Sequence, residues 1–191
     1  MKYSKAISLI SECVAGNEYA VEQFVCEYQT GVFRLALSVL QDEHEANDVT
    51  QDTFIAALKA LEHYRDYSSV KAWLYTIALN MSRSVLRKRK AMDHVRRAIT
   101  SLFQIETQKQ SSPEDVLIQD EKDRILWSAL QNLGEKHRFP VLLYYYHDLP
   151  VKEISEILQI SEGTVHSRLF TARARLRNEM EKHLQAAGET R

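Results

Sequence analysis

Two groups of side chains have the types and spacing to bind a polyanion. The first lies in Leu149–Arg177, LPVKEISEILQISEGTVHSRLFTARARLR, whose second half turns Thr164, His166, Ser167, Arg168, Thr171 and Arg175 to one side. Hydroxyls, an imidazole and guanidinium groups on one face suit the phosphates and base edges of duplex DNA. Near the start of that half, Gly163 and Thr164 leave helix-terminal amides open to a phosphate. The second group is a run between Arg83 and Arg97. It holds seven Lys or Arg (Arg83, Arg87, Lys88, Arg89, Lys90, Arg96, Arg97) against Asp93 alone. Just before it come the aromatics of HYRDYSS, where Tyr64 and Tyr67 could stack on unpaired bases while the cations neutralise a strand. On the residues alone these rings serve equally well as loop packing, and the arginines as a solvated face.

Other chemistry has no visible seat. The seven histidines do not cluster with cysteines or carboxylates at metal-ligand spacing, and the five glycines form no phosphate-cradling loop. No catalytic residue, metal or cofactor is assigned, and the expectation is a binding protein rather than an enzyme. Cys13 and Cys26 lie in amphipathic helical sequence and read as core thiols. With a net charge of -1 over 191 residues, any basic surface must be local. The N-terminus lacks a signal-peptide pattern, and no apolar run approaches a membrane span, so the expected location is cytoplasmic.

The elements that must position these groups are helical throughout. Val151, Ile154, Ile157 and Leu158 recur at three- and four-residue steps behind Pro150. Ser161 can cap a following helix whose apolar stripe is Val165, Leu169, Ala172 and Leu176. Two short helices joined by a tight turn are the frame of a helix-turn-helix. Upstream, Val141, Leu142 and Tyr145 read as core, and Pro140 must lie in a first turn or kink its helix.

In the first half, Ile7, Ile10 and Val14 begin a helix that ends at Gly16-Asn17, and a second runs through Phe24 and on to Leu40. A long helix from about Glu45 to Leu61 packs Val49, Phe54, Ala57, Leu58 and Leu61 and leaves Asp48, Gln51 and Asp52 outside. Such a row is ordinarily solvated surface. Another helix, Val70 to about Lys90, packs through Trp73, Leu74, Ile77, Ala78 and Met81. The polar stretch Ala98 to Pro113 reads as a tether. The expected fold is therefore all-α: a domain over 1–97, a flexible linker over 98–113, and a helix-turn-helix domain over 114–191.

Taken in order, four stretches resemble the extracytoplasmic-function (ECF) sigma factors of bacterial RNA polymerase: the leading Gly16-Asn17 to Ala20 with Phe24, EANDVTQDTFIAAL (Glu45–Leu58), WLYTIALNMSRSVLRKRK (Trp73–Lys90) and LLYYYHDLPVKEISEILQISEGTVHSRLFTARARL (Leu142–Leu176). The resemblance implies a transcription initiation factor with a region 2 and a region 4 domain. Its expected partners are core polymerase (clamp coiled coil and flap region), promoter DNA and an anti-sigma protein. It implies that Asp48, Gln51, Asp52 and Phe54 face the clamp. Tyr64, Arg65, Asp66, Tyr67, Ser68, Asn80, Arg83, Arg87 and Lys88 would hold the melted minus-ten strand. Gly163, Thr164, His166, Ser167, Arg168, Phe170, Thr171 and Arg175 would read the minus-thirty-five duplex.

His166 and Thr171 stand where the family often has Lys or Arg, and Asn47 replaces a more usual carboxylate. Two rival readings use parts of the same pattern. A stand-alone helix-turn-helix regulator would dimerise on paired half-sites, and a helical adaptor would bind protein alone.

Overall fold

The computed structural model describes residues 2–64, 69–103 and 121–188. Among them regular structure is helical throughout, in two compact units, Met1–Ser111 and Ser112–Arg191. No described helix is long and apolar enough to cross a membrane.

The first unit contains α1 (Lys2–Val14), α2 (Glu18–Leu40), α3 (Glu43–Ala60) and α4 (Val70–Phe103), with a 3₁₀ turn at Leu61–His63. Local chemistry sets the boundaries. Asn17, expected at the end of α1, begins α2 instead: its side-chain oxygen accepts from the Tyr19 and Ala20 amides. Gln41 ends α2 in the left-handed region at φ 55°, and Asp42 immediately caps α3 by accepting from the Glu45 amide at 2.8 Å. Ser69 does the same for α4 through the Ala72 amide.

Phe24, Val32, Leu35, Leu40, Leu74 and Leu79 fill the core between α2, α3 and α4. Ala36, Ala57 and Ala78 have no exposed surface, so these helices approach closely. Buried hydroxyls are satisfied within their own helices: Ser38 donates to the Leu35 carbonyl, Thr53 to Val49 and Ser82 to Ala78. Cys13 is buried, whereas Cys26, expected in the core, is exposed on α2.

Helix α4 continues beyond the expected boundary at Arg97, through the first six residues of the stretch read as a tether. Residues 104–113 lie outside the described part. Ala98–Phe103 contains neither Gly nor Pro and spaces Ile99, Leu102 and Phe103 at helical steps, so nothing in it breaks a helix already under way.

The second unit contains α5 (Glu121–Asn132), α6 (Glu135–Val141), α7 (Val151–Leu158) and α8 (Glu162–Gly188). Phe139, Leu142, Leu143, Ile154, Ile157 and Leu169 form its core. Pro140 lies inside α6, not in its first turn. Directly after it the chain widens into a π turn, Leu142–Tyr146, closed by the His147 amide on the Leu142 carbonyl. This shift turns Tyr145, expected in the core, to the surface, where it is 52% exposed.

Gly31 is needed for packing: a Cβ there would lie 2.9 Å from the Tyr75 hydroxyl, which α4 holds in the buried interface. Gly31→Ala should destabilise the first unit by about 1–3 kcal/mol, and Tyr75→Phe should restore part of the loss. Chemical denaturation of the two variants checks this.

Candidate nucleic-acid and protein interfaces

Helix α3 presents Asp48, Gln51 and Asp52 to solvent at i, i+3 and i+4. Phe54 does not join them. It is 6% exposed and sets its ring edge-on against Phe24, with centroids 6.1 Å apart, because its place on the helix is the core face. The residue that does continue the row is Ile55, 44% exposed, whose apolar side chain carries no sign of an outward role in the sequence. Asn47 donates its amide back to the Glu43 carbonyl at 2.9 Å.

On α4, Asn80, Arg87 and Lys88 are exposed and Arg83 is half-buried, with its guanidinium donating to the Asn80 side-chain oxygen at 3.1 Å. Asn80 and Arg83 thus form one unit at the i, i+3 spacing. At the head of the helix Tyr64 leans on Trp73, with ring centroids 5.0 Å apart. Arg65, Asp66, Tyr67 and Ser68 lie outside the described residues. The cations of the basic run are not equivalent. Arg89 is engaged by Asp42, Glu45 and the Leu40 carbonyl.

In the second unit α7 and α8 meet through Ile154, Ile157, Val165, Leu169 and Ala172, all buried. Gln159 closes α7 in the left-handed region, and the Ser161 hydroxyl caps α8, accepting the Thr164 amide at 3.2 Å. That pairing occupies Thr164, whose hydroxyl shares a 2.8 Å hydrogen bond with Ser161. Ser167 and Thr171 donate to carbonyls one turn back.

Gly163, His166, Ser167, Phe170 and Arg175 are exposed, Phe170 by 73%, whereas Thr164, Arg168 and Thr171 are half-buried. The Arg168 Nε is shut away from solvent without a hydrogen-bond partner, so its fork reaches outward less than the spacing suggests. A Cβ at Gly163 would come no nearer than 4.0 Å to the Ser161 hydroxyl. The fold itself therefore does not require glycine there.

A groove of about 820 Å³ runs between α5, the π turn and α8, lined by Leu126, Trp127, Leu130, Tyr145, Tyr146 and Met180 among others. Arg173 stands at its edge, its Nε donating to the Tyr145 hydroxyl at 2.5 Å and its guanidinium 5.6 Å from the ring centre. It is thereby tied to the groove rather than to the outward face of α8. Sequence periodicity gave no sign of this groove, since it arises where the π turn rotates two tyrosines out of register. Arg138 is buried beside Phe139 and donates to the Gln131 side chain.

His137 lies beneath α8, with its Nδ1 3.4 Å from the Arg168 carbonyl. Burial lowers its pKa most; the contact with the Arg168 carbonyl opposes this, and the positive charges of Arg175, Lys136 and Arg168 add to the lowering. The folded state favours the neutral ring, while the unfolded chain binds its proton at the usual value of about 6.5. The unfolded state therefore binds more protons once pH falls below that value, and the second unit loses stability as pH drops towards the folded-state pKa. In a Trp73→Phe background, where Trp127 fluorescence reports this unit, the unfolding midpoint should fall between pH 7 and pH 5. His137→Gln should flatten that dependence, and an unaltered pH profile would contradict the assignment.

Comparison with known proteins supplies the remaining observation. Residues 24–92 match the Sigma-70 region 2 family and residues 123–176 the Sigma-70, region 4 family. The chain is 35% identical to the ECF RNA polymerase sigma factor SigM of Bacillus subtilis, over 82% of its own length and 93% of that protein. It is 30% identical to the RNA polymerase sigma-H factor of Pseudomonas aeruginosa, over 94% and 95%. In fold it is similar to CnrH, solved in complex with the cytosolic domain of CnrY. The TM-score is 0.66 at 25% identity, covering 91% of this chain and 96% of CnrH.

Proposed function

The chain belongs to the ECF sigma factors, the promoter-directing initiation factors of bacterial RNA polymerase, and we propose that its two units divide the work between protein and DNA in the following way. The observation that carries the reading is the separation of surface chemistry by helix. The exposed carboxylate and amide row of α3 meets polymerase, and the cation-bearing face of α4 meets a DNA strand.

On α3, Asp48, Gln51 and Asp52 dock on the clamp coiled coil. Phe54 supports them from the core. On α4, Asn80 and Arg83 act together at the melted minus-ten strand, and Arg87 and Lys88 neutralise its phosphates. Tyr64, braced by Trp73, forms one side of the place where an unstacked base lodges. Capturing that base offsets part of the few kcal/mol that unpairing costs.

In the second unit the N-terminal half of α8 enters the major groove of the minus-thirty-five element. Gly163 gives the backbone room to approach a phosphate. His166, Ser167 and Phe170 face base edges, with the Phe170 ring suited to a thymine methyl. Thr164, Arg168, Thr171 and Arg175 flank them. The apolar groove beside α5 receives the flap region of polymerase.

Tethering two weak readers to one polymerase raises their effective concentration at a promoter. The action is binding without catalysis, in the cytoplasm. An anti-sigma protein that covers these faces would hold the chain inactive. Support for such control is the solved complex of the related CnrH with a cytosolic protein domain.

Run-off transcription with purified core polymerase on fragmented genomic DNA tests the reading. Discrete new transcripts should appear with the wild-type chain and fall at least about tenfold with either Asp48→Arg or Arg175→Glu, the size of effect expected when one charged contact is reversed. Asp48→Arg should abolish co-purification with core, while Arg175→Glu should leave it intact. Folded protein that yields no new transcripts would favour the helical adaptor.

A further inference from the structure

Within the basic run of α4, Arg89 faces the protein's own contacts. Successive helix residues are rotated by about 100°, so Arg89 lies on a different side of α4 from Arg87 and Lys88. There it reaches the turn between α2 and α3, more than forty residues away in sequence. Its Nε donates to Glu45 Oε1 at 3.0 Å, and its Nη2 lies 2.5 Å from Glu45 Oε2 as an ion-pair contact without hydrogen-bond geometry. Its Nη1 donates to the Leu40 carbonyl at 2.9 Å, and Asp42 Oδ2 is 3.4 Å from Nη2. Arg89 thus grips the last carbonyl of α2, the cap of α3 and the first turn of α3 at once.

We propose that Arg89 is a positioning residue: a clasp that fixes the start of α3 on α4 and so sets the angle between the Asp48–Asp52 row and the strand-facing side of α4. The inference rests on the roles proposed above for these two helices. Three observations favour a clasp over a phosphate ligand. The guanidinium is already committed to Glu45, by the Nε hydrogen bond and by the ion-pair contact of Nη2. The remaining nitrogen donates to a backbone carbonyl that terminates α2, where a helix end leaves acceptors unsatisfied. And Asp42 serves two elements, capping α3 through the Glu45 amide while pairing with Arg89. Loosening Arg89 therefore disturbs the first turn of the helix that carries Asp48 one turn further on. Arginine suits this place because its planar fork holds direction as well as charge, which a lysine ammonium does not.

The test is a cycle in the full chain: Arg89→Gln, Glu45→Gln, the double variant and Arg89→Lys, at a temperature where all are folded. A clasp predicts that each glutamine variant lowers open-complex formation by roughly tenfold, that the double variant is no worse than either, and that Arg89→Lys recovers part. It also predicts an unchanged salt slope for promoter binding by the holoenzyme. Lys88→Gln, by contrast, should lower that slope by about 0.7, the value for one single-strand phosphate. A reduced slope for Arg89→Gln, additive losses, or full activity in all variants would each overturn the proposal. Should the wild-type chain give no promoter-dependent transcript, the proposed roles of the helices fail. The pairing itself is still read by the same cycle in thermal unfolding, where additive shifts would refute it independently.

Discussion

Close packing of α2, α3 and α4 around Phe24 is the constraint on which the first unit depends. Phe24 has no exposed surface, and Phe54 meets it edge-on. Alanines at 36, 57 and 78 let three helices share that centre. Once these faces are buried, what each helix offers to the outside follows from its 3.6-residue period: the carboxylate row on α3, and on α4 a face that begins at Asn80. The second unit obeys the same rule with Ile154, Ile157, Val165 and Leu169, which fix α8 so that Phe170 projects into solvent.

Polar chemistry then refines what packing has set. Caps at Asn17, Asp42, Ser69 and Ser161 place the helix starts to within a residue. Each satisfies an amide that would otherwise be left without a partner. Several of these caps stand next to the proposed interfaces: Asp42 six residues before Asp48, Ser69 at the foot of the helix that carries Asn80, and Ser161 at the tip of α8. Functional geometry and helix-end chemistry are therefore set by the same few side chains. The Ser167 and Thr171 hydroxyls bond to their own helix, which leaves the exposed His166, Phe170 and Arg175 as side chains free to meet a partner.

Much of this was legible in the sequence because amphipathic period and cap residues are local signals. The helix-turn-helix, the outward row on α3 and the cap at Ser161 all follow from residues within one or two turns of each other. Phe54 is instructive: the periodicity placed it in the core, whereas transfer by resemblance put it on the clamp face, and the structure sides with the periodicity. Features created by distant contacts or by a backbone irregularity were hidden. Arg89 counted as one more cation because its carboxylate partners lie more than forty residues upstream. Helical periodicity places Tyr145 inward, because a π turn shifts register without a sequence mark beyond Pro140. The first residues of the tether are helical because nothing in Ala98–Phe103 stops a helix already under way.

The central claim is that two differently charged helical surfaces engage two different partners within one initiation complex. Photo-crosslinking tests it most directly, with a benzophenone amino acid placed at Gln51 or at Phe170 in separate chains assembled with core polymerase and promoter DNA. The account predicts that the probe at 51 joins to a polymerase subunit and the probe at 170 to duplex DNA upstream of the melted region. Crosslinks from 51 to DNA, or from 170 to polymerase alone, would contradict it.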